Sequence, residues 1–152
     1  MKGVYTANIA INGVTEAVTL ICLTAPANRV VEVLSASVTQ TNGIAVTLGA
    51  TLTRVGVLGS PDQTSITAHK HESGDQAAGS TVGGNITPGG DPTYVSEDYG
   101  LQGFHTLAGW FFDPVRDGQV FVAPGASIGL RLTIAPGSAM DTLAEITFRE
   151  IG

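Results

Sequence analysis

Apolar and polar side chains alternate along several short stretches of the chain, and this alternation constrains the fold more than any other feature. In Ser127–Ile134 the even-numbered positions are all apolar, whereas the odd-numbered positions are small, polar or charged. Ile44–Thr53 repeats the same period, and after Arg54 the apolar positions change parity. Successive side chains of a strand point to opposite faces, so the pattern predicts strands with one face in a core. The parity change predicts a bulge or bend near Arg54.

Further stretches of the same kind predict about eight strands in total. They are Val4–Ile11, Val14–Thr24, Val30–Gln40, Ile44–Thr53, Phe104–Phe112, Val120–Val122, Ser127–Ile134 and Leu143–Ile151. Asn12-Gly13 predicts a tight hairpin turn, and Pro124-Gly125 predicts a turn between two strands. No stretch of a dozen residues has the 3.6-residue period of a helix. The sequence therefore predicts an all-β protein, a jelly-roll-like β-sandwich.

The middle of the chain, at about 60–103, differs from the rest because it is rich in glycine and lacks periodicity. Unstructured segments of such length are uncommon within compact domains and are usually functional or disordered. With 152 residues the chain is long enough for one core. We therefore predict a single domain over residues 1–152, with a long loop or arm inserted at about 60–103.

The low charge of the chain limits its partners. Charged residues make up 13% of the sequence, about half the usual share. A surface with few charges does little to prevent association, which suggests that partners cover much of it. The seven Lys and Arg residues form no cluster, so we expect no direct binding to nucleic acid. The N-terminus lacks the pattern of a signal peptide, and no apolar run approaches a membrane span of roughly 18 residues.

A first candidate site is the stretch HKHESGD at the start of the middle segment. His69 and His71, with Glu72 or Asp75 and a later His105, would resemble the metal site of the cupins. Alternate histidines point to one side only on a strand, whereas the residues after His71 predict a turn. Ligands on a loop form weak and unselective sites. We therefore predict a polar loop without metal or cofactor, and a cupin-like metalloprotein is a lesser alternative.

The other potentially reactive residues do not have the spacing of known catalytic motifs. The sequence has no G-x-S-x-G motif, and the glycines at 83, 84, 89 and 90 do not follow the spacing of phosphate-binding loops. The single cysteine, Cys22, lies in an apolar run and is expected to be a small buried hydrophobe. Glu97-Asp98 is more typical of a solvated surface than of acid–base chemistry. We predict that the protein is not an enzyme.

The aromatic residues fall into two groups. Trp110 and Phe112 share a face and are predicted to lie in the core. Tyr94 and Tyr99 belong to the middle segment, where either surface exposure or partner contact is consistent with their sequence. A platform for stacking sugars is a third interpretation. The candidate interface residues are Tyr94, Tyr99, His69, His71, Ile86 and Pro88.

The last third of the chain resembles a group of small proteins encoded by tailed bacteriophages and prophages. Their shared pattern is Gly-Trp with aromatics and a proline, then Val-x-Val, Pro-Gly, Leu-x-Leu and an end close to F-x-E-I-G. Here it is carried by Gly109, Trp110, Pro114, Val120, Val122, Pro124, Gly125, Leu130, Leu132, Phe148, Glu150, Ile151 and Gly152. The early segment RVVEVLSASVTQ also fits. Arg149 stands where these proteins often have an acid.

This resemblance implies a virion component. A jelly roll of this size is similar to head decoration, or cement, proteins, which bind the outside of the capsid shell, commonly as homotrimers. It implies the major capsid protein as partner, assembly in the host cytoplasm and a final place on the capsid surface, with the middle segment as a reaching arm. The alternative is a tail-fibre or baseplate jelly roll that binds a host glycan or a tail protein.

Overall fold

The computed structural model describes residues 3–58, 63–84, 86 and 92–152, with Ser96 described only in its backbone. Within them the chain forms twelve strands and one short helix. These elements are β1 (Val4–Val14), β2 (Thr19–Thr24), β3 (Val30–Gln40), β4 (Thr47–Val57), β5 (Thr64–Ile66), β6 (His69–Lys70), β7 (Thr81–Gly84), β8 (Thr93–His105), β9 (Trp110–Phe112), α1 (Pro114–Asp117), β10 (Val120–Val122), β11 (Ser127–Leu132) and β12 (Met140–Ile151).

The strands form two antiparallel sheets that pack against each other, which confirms the all-β sandwich. The first sheet has the order β10-β3-β12-β1-β6, and β9 pairs with β3 beside β10. The second sheet has the order β5-β7-β2-β11-β4-β8. The two central sets, β1-β12-β3-β10 and β2-β11-β4-β8, follow the strand order of a jelly roll. The strands β5, β6 and β7 are additions at one side of this frame.

Inward-facing side chains of both sheets form one continuous core. In β12, burial alternates along the strand, as the sequence pattern predicts. Trp110 and Phe112 are 1% and 2% exposed, which confirms their assignment to the core. The Trp110 indole Nε1 also donates a hydrogen bond to the Gly100 carbonyl oxygen at 2.9 Å. This bond connects β9 of the first sheet to β8 of the second, so the two sheets are joined along that side.

The middle segment, predicted as one long loop at about 60–103, instead contributes four strands to the sheets. β7 pairs with β2, β5 pairs with β7, β6 pairs with β1, and β8 pairs with β4 over most of its length. In β7, a side chain at Gly84 would approach Ile66 Cδ1 to 2.7 Å and the Leu20 carbonyl oxygen to 3.0 Å, so glycine lets the strands pack closely there. In β8 the register shifts three times against β4, and each shift interrupts the alternation that reveals a strand. One of these shifts lies between Thr53 and Val55, which confirms the bulge predicted near Arg54.

Two other sequence-based predictions were wrong. The predicted strand Phe104–Phe112 is divided into β8 and β9 by a turn at 106–109, where Gly109 has a φ of 77°. Asn12-Gly13 does not form the predicted hairpin turn. Instead, β1 continues through these residues to Val14 and shifts its register against β12 at this point. The Gly13 amide donates to Asp141 Oδ1 at 2.9 Å, and its positive φ of 71° is accommodated within the strand as a bulge.

Candidate functional site

The three histidines of the metal hypothesis are divided between the two sheets. His69 and His71 are exposed at and just after β6, the edge strand of the first sheet beside β1. His105 ends β8, the edge strand of the second sheet beside β4. Among the described residues, no three His, Cys, Asp or Glu side chains are placed to hold a metal ion together. The ligand set that a cupin-like site requires is therefore not assembled by this fold.

The residues after His71 form a compact turn, as the sequence predicts. Lys70 Nζ donates to the carbonyl oxygens of Ser73 and Asp75, both at 2.8 Å. The His71 ring is held at the first sheet, because its Nε2 lies 2.7 Å from Thr6 Oγ1. These contacts give Lys70 and His71 a local structural role in fastening the turn to β1.

Tyr94 packs across the outer face of the second sheet. Its ring covers Gly129 of β11, where an added Cβ would lie 2.6 Å from the tyrosine oxygen. Its hydroxyl forms a hydrogen bond with Thr19 Oγ1 of β2. The Arg131 guanidinium lies 4.4 Å from the ring centroid, close enough for a cation–π interaction. Tyr94, a candidate interface residue, is thus built into the chain's own packing.

Two arginine–carboxylate pairs lie beside Tyr94, one between Arg131 and Asp98 and one between Arg54 and Glu97. Thr53 Oγ1 donates to Asp98 Oδ1 at 2.6 Å and accepts from Arg131 Nε at 3.1 Å. On the side of β4 that faces the core, Arg54 Nε donates to the Tyr99 hydroxyl at 3.0 Å. We call the set on the outer face the tyrosine–arginine cover: Thr19, Thr53, Tyr94, Asp98 and Arg131. Glu97-Asp98 is partly exposed but paired with arginines, which the sequence alone did not indicate.

Glu150, on β12, is completely buried and joins the middle segment to the sandwich. Its carboxylate accepts hydrogen bonds from the Ser80 amide at 2.7 Å, from Ser80 Oγ at 2.8 Å and from Arg29 Nη1 at 2.7 Å. Burial by itself raises the pKa of this carboxyl, but the hydrogen bonds from Ser80, Arg29 and the Gly79 amide outweigh it and hold the pKa below its usual value. We call Glu150, Ser80 and Arg29 the carboxylate latch. Sequence reasoning missed it because Ser80 and Arg29 lie 70 and 121 residues away from Glu150 along the chain.

The other candidate residues of the middle segment differ in their placement. Ile86 is completely buried, and its amide donates to the Thr19 carbonyl oxygen at 3.2 Å. Its side chain is therefore not available at the surface of the single chain. Pro88 lies outside the described residues. Cys22 is buried as expected, and burial raises the pKa of its thiol to about 12.

One part of the outer face of the first sheet, next to the row that holds the Glu32–Arg149 pair, is different in character, and we call it the open face. Cross-strand pairing places Phe111, Ser37, Glu145 and Asn8 in one row across β9, β3, β12 and β1. The neighbouring rows are made of small polar and apolar side chains. The open face consists of Thr6, Asn8, Ala10, Ser35, Ser37, Thr39, Phe111, Leu143, Glu145 and Thr147.

A shallow depression of about 340 Å³ runs along this face. Its floor and sides are formed by β1, β3 and β12, with Asn8, Thr39 and Glu145 among its lining residues. Two large apolar side chains stand out from the face, since Phe111 is 55% exposed and Leu143 is 42% exposed. The open face thus combines a flat, nearly uncharged surface with two apolar projections, which is typical of a protein-contact surface.

Comparison with protein families, with curated proteins and with solved structures finds no match to this chain. None of the helices in the described part of the chain has the length and apolar character needed to span a membrane.

Proposed function

We propose that this chain is a bacteriophage head decoration protein, which binds the outer surface of the capsid shell between capsomers and stabilises the head. The observation that carries the proposal is where the phage-like sequence pattern lies in the fold. Six of its residues are buried in the core: Trp110, Val120, Val122, Leu130, Leu132 and Phe148. Two of its glycines, Gly109 and Gly125, have positive φ values at turns. The pattern thus describes the sandwich itself, which supports a scaffold shared with those phage proteins.

The jelly roll suits such a role because it is ordered before it meets a partner. The carboxylate latch and the pairing of β5, β6 and β7 fix most of the middle segment on the sandwich. A surface that is already ordered loses little conformational entropy on binding. The described part of the middle segment therefore acts as part of a rigid block, in place of the reaching arm that its composition suggests.

The proposed partner is the major capsid protein, and the proposed site is the capsid surface. We expect the protein to self-associate, most simply as a homotrimer, so that one particle contacts several shell subunits. Its binding would add buried area that opposes the pressure of packaged DNA.

Shells of the encoding phage that lack this protein provide the test. We expect the added chain to sediment with the shells up to a saturating ratio and to raise the temperature at which they release DNA. We also expect its native mass to exceed that of one chain. A monomer that fails to sediment with the shells would refute the proposal.

The tail-fibre or baseplate alternative binds a host glycan or a tail protein, and its glycan-binding form relies on aromatic side chains that stack on sugars. Trp110, one of its three aromatic residues, is 1% exposed, and Tyr94 lies beneath Arg131. Neither side chain presents a free ring face of the kind that sugar stacking uses, and the ring of the third residue, Tyr99, has the Arg54 guanidinium 5.4 Å from its centroid.

A further inference from the structure

We infer that the open face is the surface that docks on the capsid, and that the shell presents a Lys or Arg side chain to Glu145. This inference rests on the proposed function and adds to it the docking face and the chemistry of the partner.

The first argument is that the two sheets differ in how far the chain itself covers them. The outer face of the second sheet carries the tyrosine–arginine cover, whose ring, ion pair and hydroxyls bond to one another. A partner docking there would have to displace these contacts. The described residues place no comparable layer over the open face, where the His71 ring bonds to Thr6 at one end, so a partner reaches the rest of its β-strands directly.

The second argument is the shape and polarity of the open face. Ser37, Thr39 and Ala10 are small, so the backbone of a partner can approach closely. Phe111 and Leu143 project on either side of this area, and an exposed aromatic beside a depression is the usual form of an interface anchor. The hydroxyls of Ser37 and Thr39 can form hydrogen bonds with a partner at little cost in side-chain entropy.

The third argument is the charge of Glu145. Glu145 lies between Ser37 of β3 and Asn8 of β1. The Glu32 carboxylate, in the row of the same sheet face that borders the open face, is paired with Arg149, whereas Glu145 has no arginine beside it in the described part of the chain. Among the described residues no cation or hydrogen-bond donor contacts its carboxylate. Burying an unpaired carboxylate is costly, so a partner that covers this face must supply a positive charge.

The same charge decides between a second copy of this chain and a different protein. Two open faces packed on each other would bring two Glu145 carboxylates into one contact, and the arginine in the bordering row of the same sheet face, Arg149, is already paired with Glu32. A shell surface with a Lys or Arg at this point meets the requirement, and electrostatic complementarity of this kind also favours the correct orientation.

The direct test is Glu145→Lys, measured as binding to shells that lack the protein. We expect binding at least about 30-fold weaker, since a cation then faces a cation in a buried contact. Glu16→Lys is the matched control, because Glu16 is an exposed acid in the β1–β2 turn and the net charge changes equally. We expect the control to bind within about twofold of the unmodified chain, and circular dichroism to show both variants folded.

A second pair of variants tests the apolar part of the face. Phe111→Ser should weaken shell binding about tenfold or more, whereas Val57→Ser, at an equally exposed apolar position on the second sheet, should not. Hydroxyl-radical footprinting of the unmodified chain needs no variant, and shells should protect Phe111 and Leu143 but not Val57.

The outcomes separate this inference from the proposed function. If the unmodified chain binds shells and both open-face variants bind equally well, the inference is wrong and the proposed function stands. If Glu145→Lys changes only the native mass of the free protein, the face joins copies of this chain and the inference is also wrong. If the unmodified chain does not bind shells, the proposed function fails and takes the inference with it.

Discussion

At the scale of single residues, Glu150 is the clearest case of a side chain whose role depends on its partners. Its carboxylate is buried, yet it is matched by Arg29 and by two hydrogen bonds from Ser80. Removing one member of such a group leaves the others buried without partners, which is more damaging than losing the interaction itself.

We predict that Glu150→Ala lowers the free energy of unfolding by about 3–5 kcal/mol and that Glu150→Gln lowers it by about 1.5–3 kcal/mol. Glutamine keeps the shape and one acceptor but loses the charge that faces Arg29. Urea unfolding at pH 7 measures both. Glu16→Gln is the control and should change stability by less than about 0.5 kcal/mol. Equal stability of Glu150→Gln and the unmodified protein would contradict the latch.

The same residue predicts a dependence on pH. The folded state holds the pKa of Glu150 below its usual value, so its contribution is present above the unfolded pKa of about 4.3. The contribution is lost as the pH falls through the lower folded pKa. The difference in stability between the unmodified protein and Glu150→Gln should therefore shrink below about pH 4. A difference that stays constant down to pH 2 would show that the carboxylate's charge plays no part.

Gly129 offers a second test at this scale, because the ring of Tyr94 occupies the place of a side chain there. Gly129→Ala would set a methyl group 2.6 Å from the tyrosine oxygen, and we predict a loss of about 1–3 kcal/mol. Gly103→Ala is the matched control, since the nearest atom to its added Cβ is the Leu48 carbonyl oxygen at 3.8 Å. Urea unfolding measures the stability of both variants. An equal loss of stability at both glycines would argue against the packing of Tyr94 on Gly129.

At the scale of strands, the sequence predicted those whose alternation is uninterrupted. β11 and β12 were evident because every second side chain enters the core. β7 was not, because two of its four residues are glycines, and β8 was not, because its bulges change the parity of its residues. The tyrosine–arginine cover was also beyond prediction, since it brings together residues of β2, β4, β8 and β11. Which residues meet across strands depends on register, and a sequence does not reveal register between distant strands.

Hydrogen exchange tests whether the middle segment belongs to the sheets. We predict that the amides of β7 and of Ile86, which bond to β2 and to the Thr19 carbonyl oxygen, exchange as slowly as those of neighbouring sheet strands. The amides of Ala27 and Asn28, in the exposed turn before β3, should exchange quickly and provide the comparison. Rapid exchange throughout 81–86 would mean that this part is an arm that orders only on assembly.

At the scale of the whole molecule, the outer faces of the two sheets differ in how far the chain itself covers them. The outer face of the second sheet is covered in part by the chain itself, while the first sheet presents the open face, with the carboxylate of Glu145 and two projecting apolar side chains. The composition predicted a surface poor in charge, but it did not predict on which side of the sandwich that surface lies. Our account is that this asymmetric, rigid jelly roll binds and stabilises a protein shell, with its open face towards the shell.

Cryo-electron microscopy of virions with and without this protein tests that account most directly. The account predicts added density on the outside of the head, between capsomers, into which the jelly roll fits with Phe111, Leu143 and Glu145 towards the shell and a basic residue of the shell opposite Glu145. Heads that are identical in the two maps, or a difference confined to the tail, would contradict it.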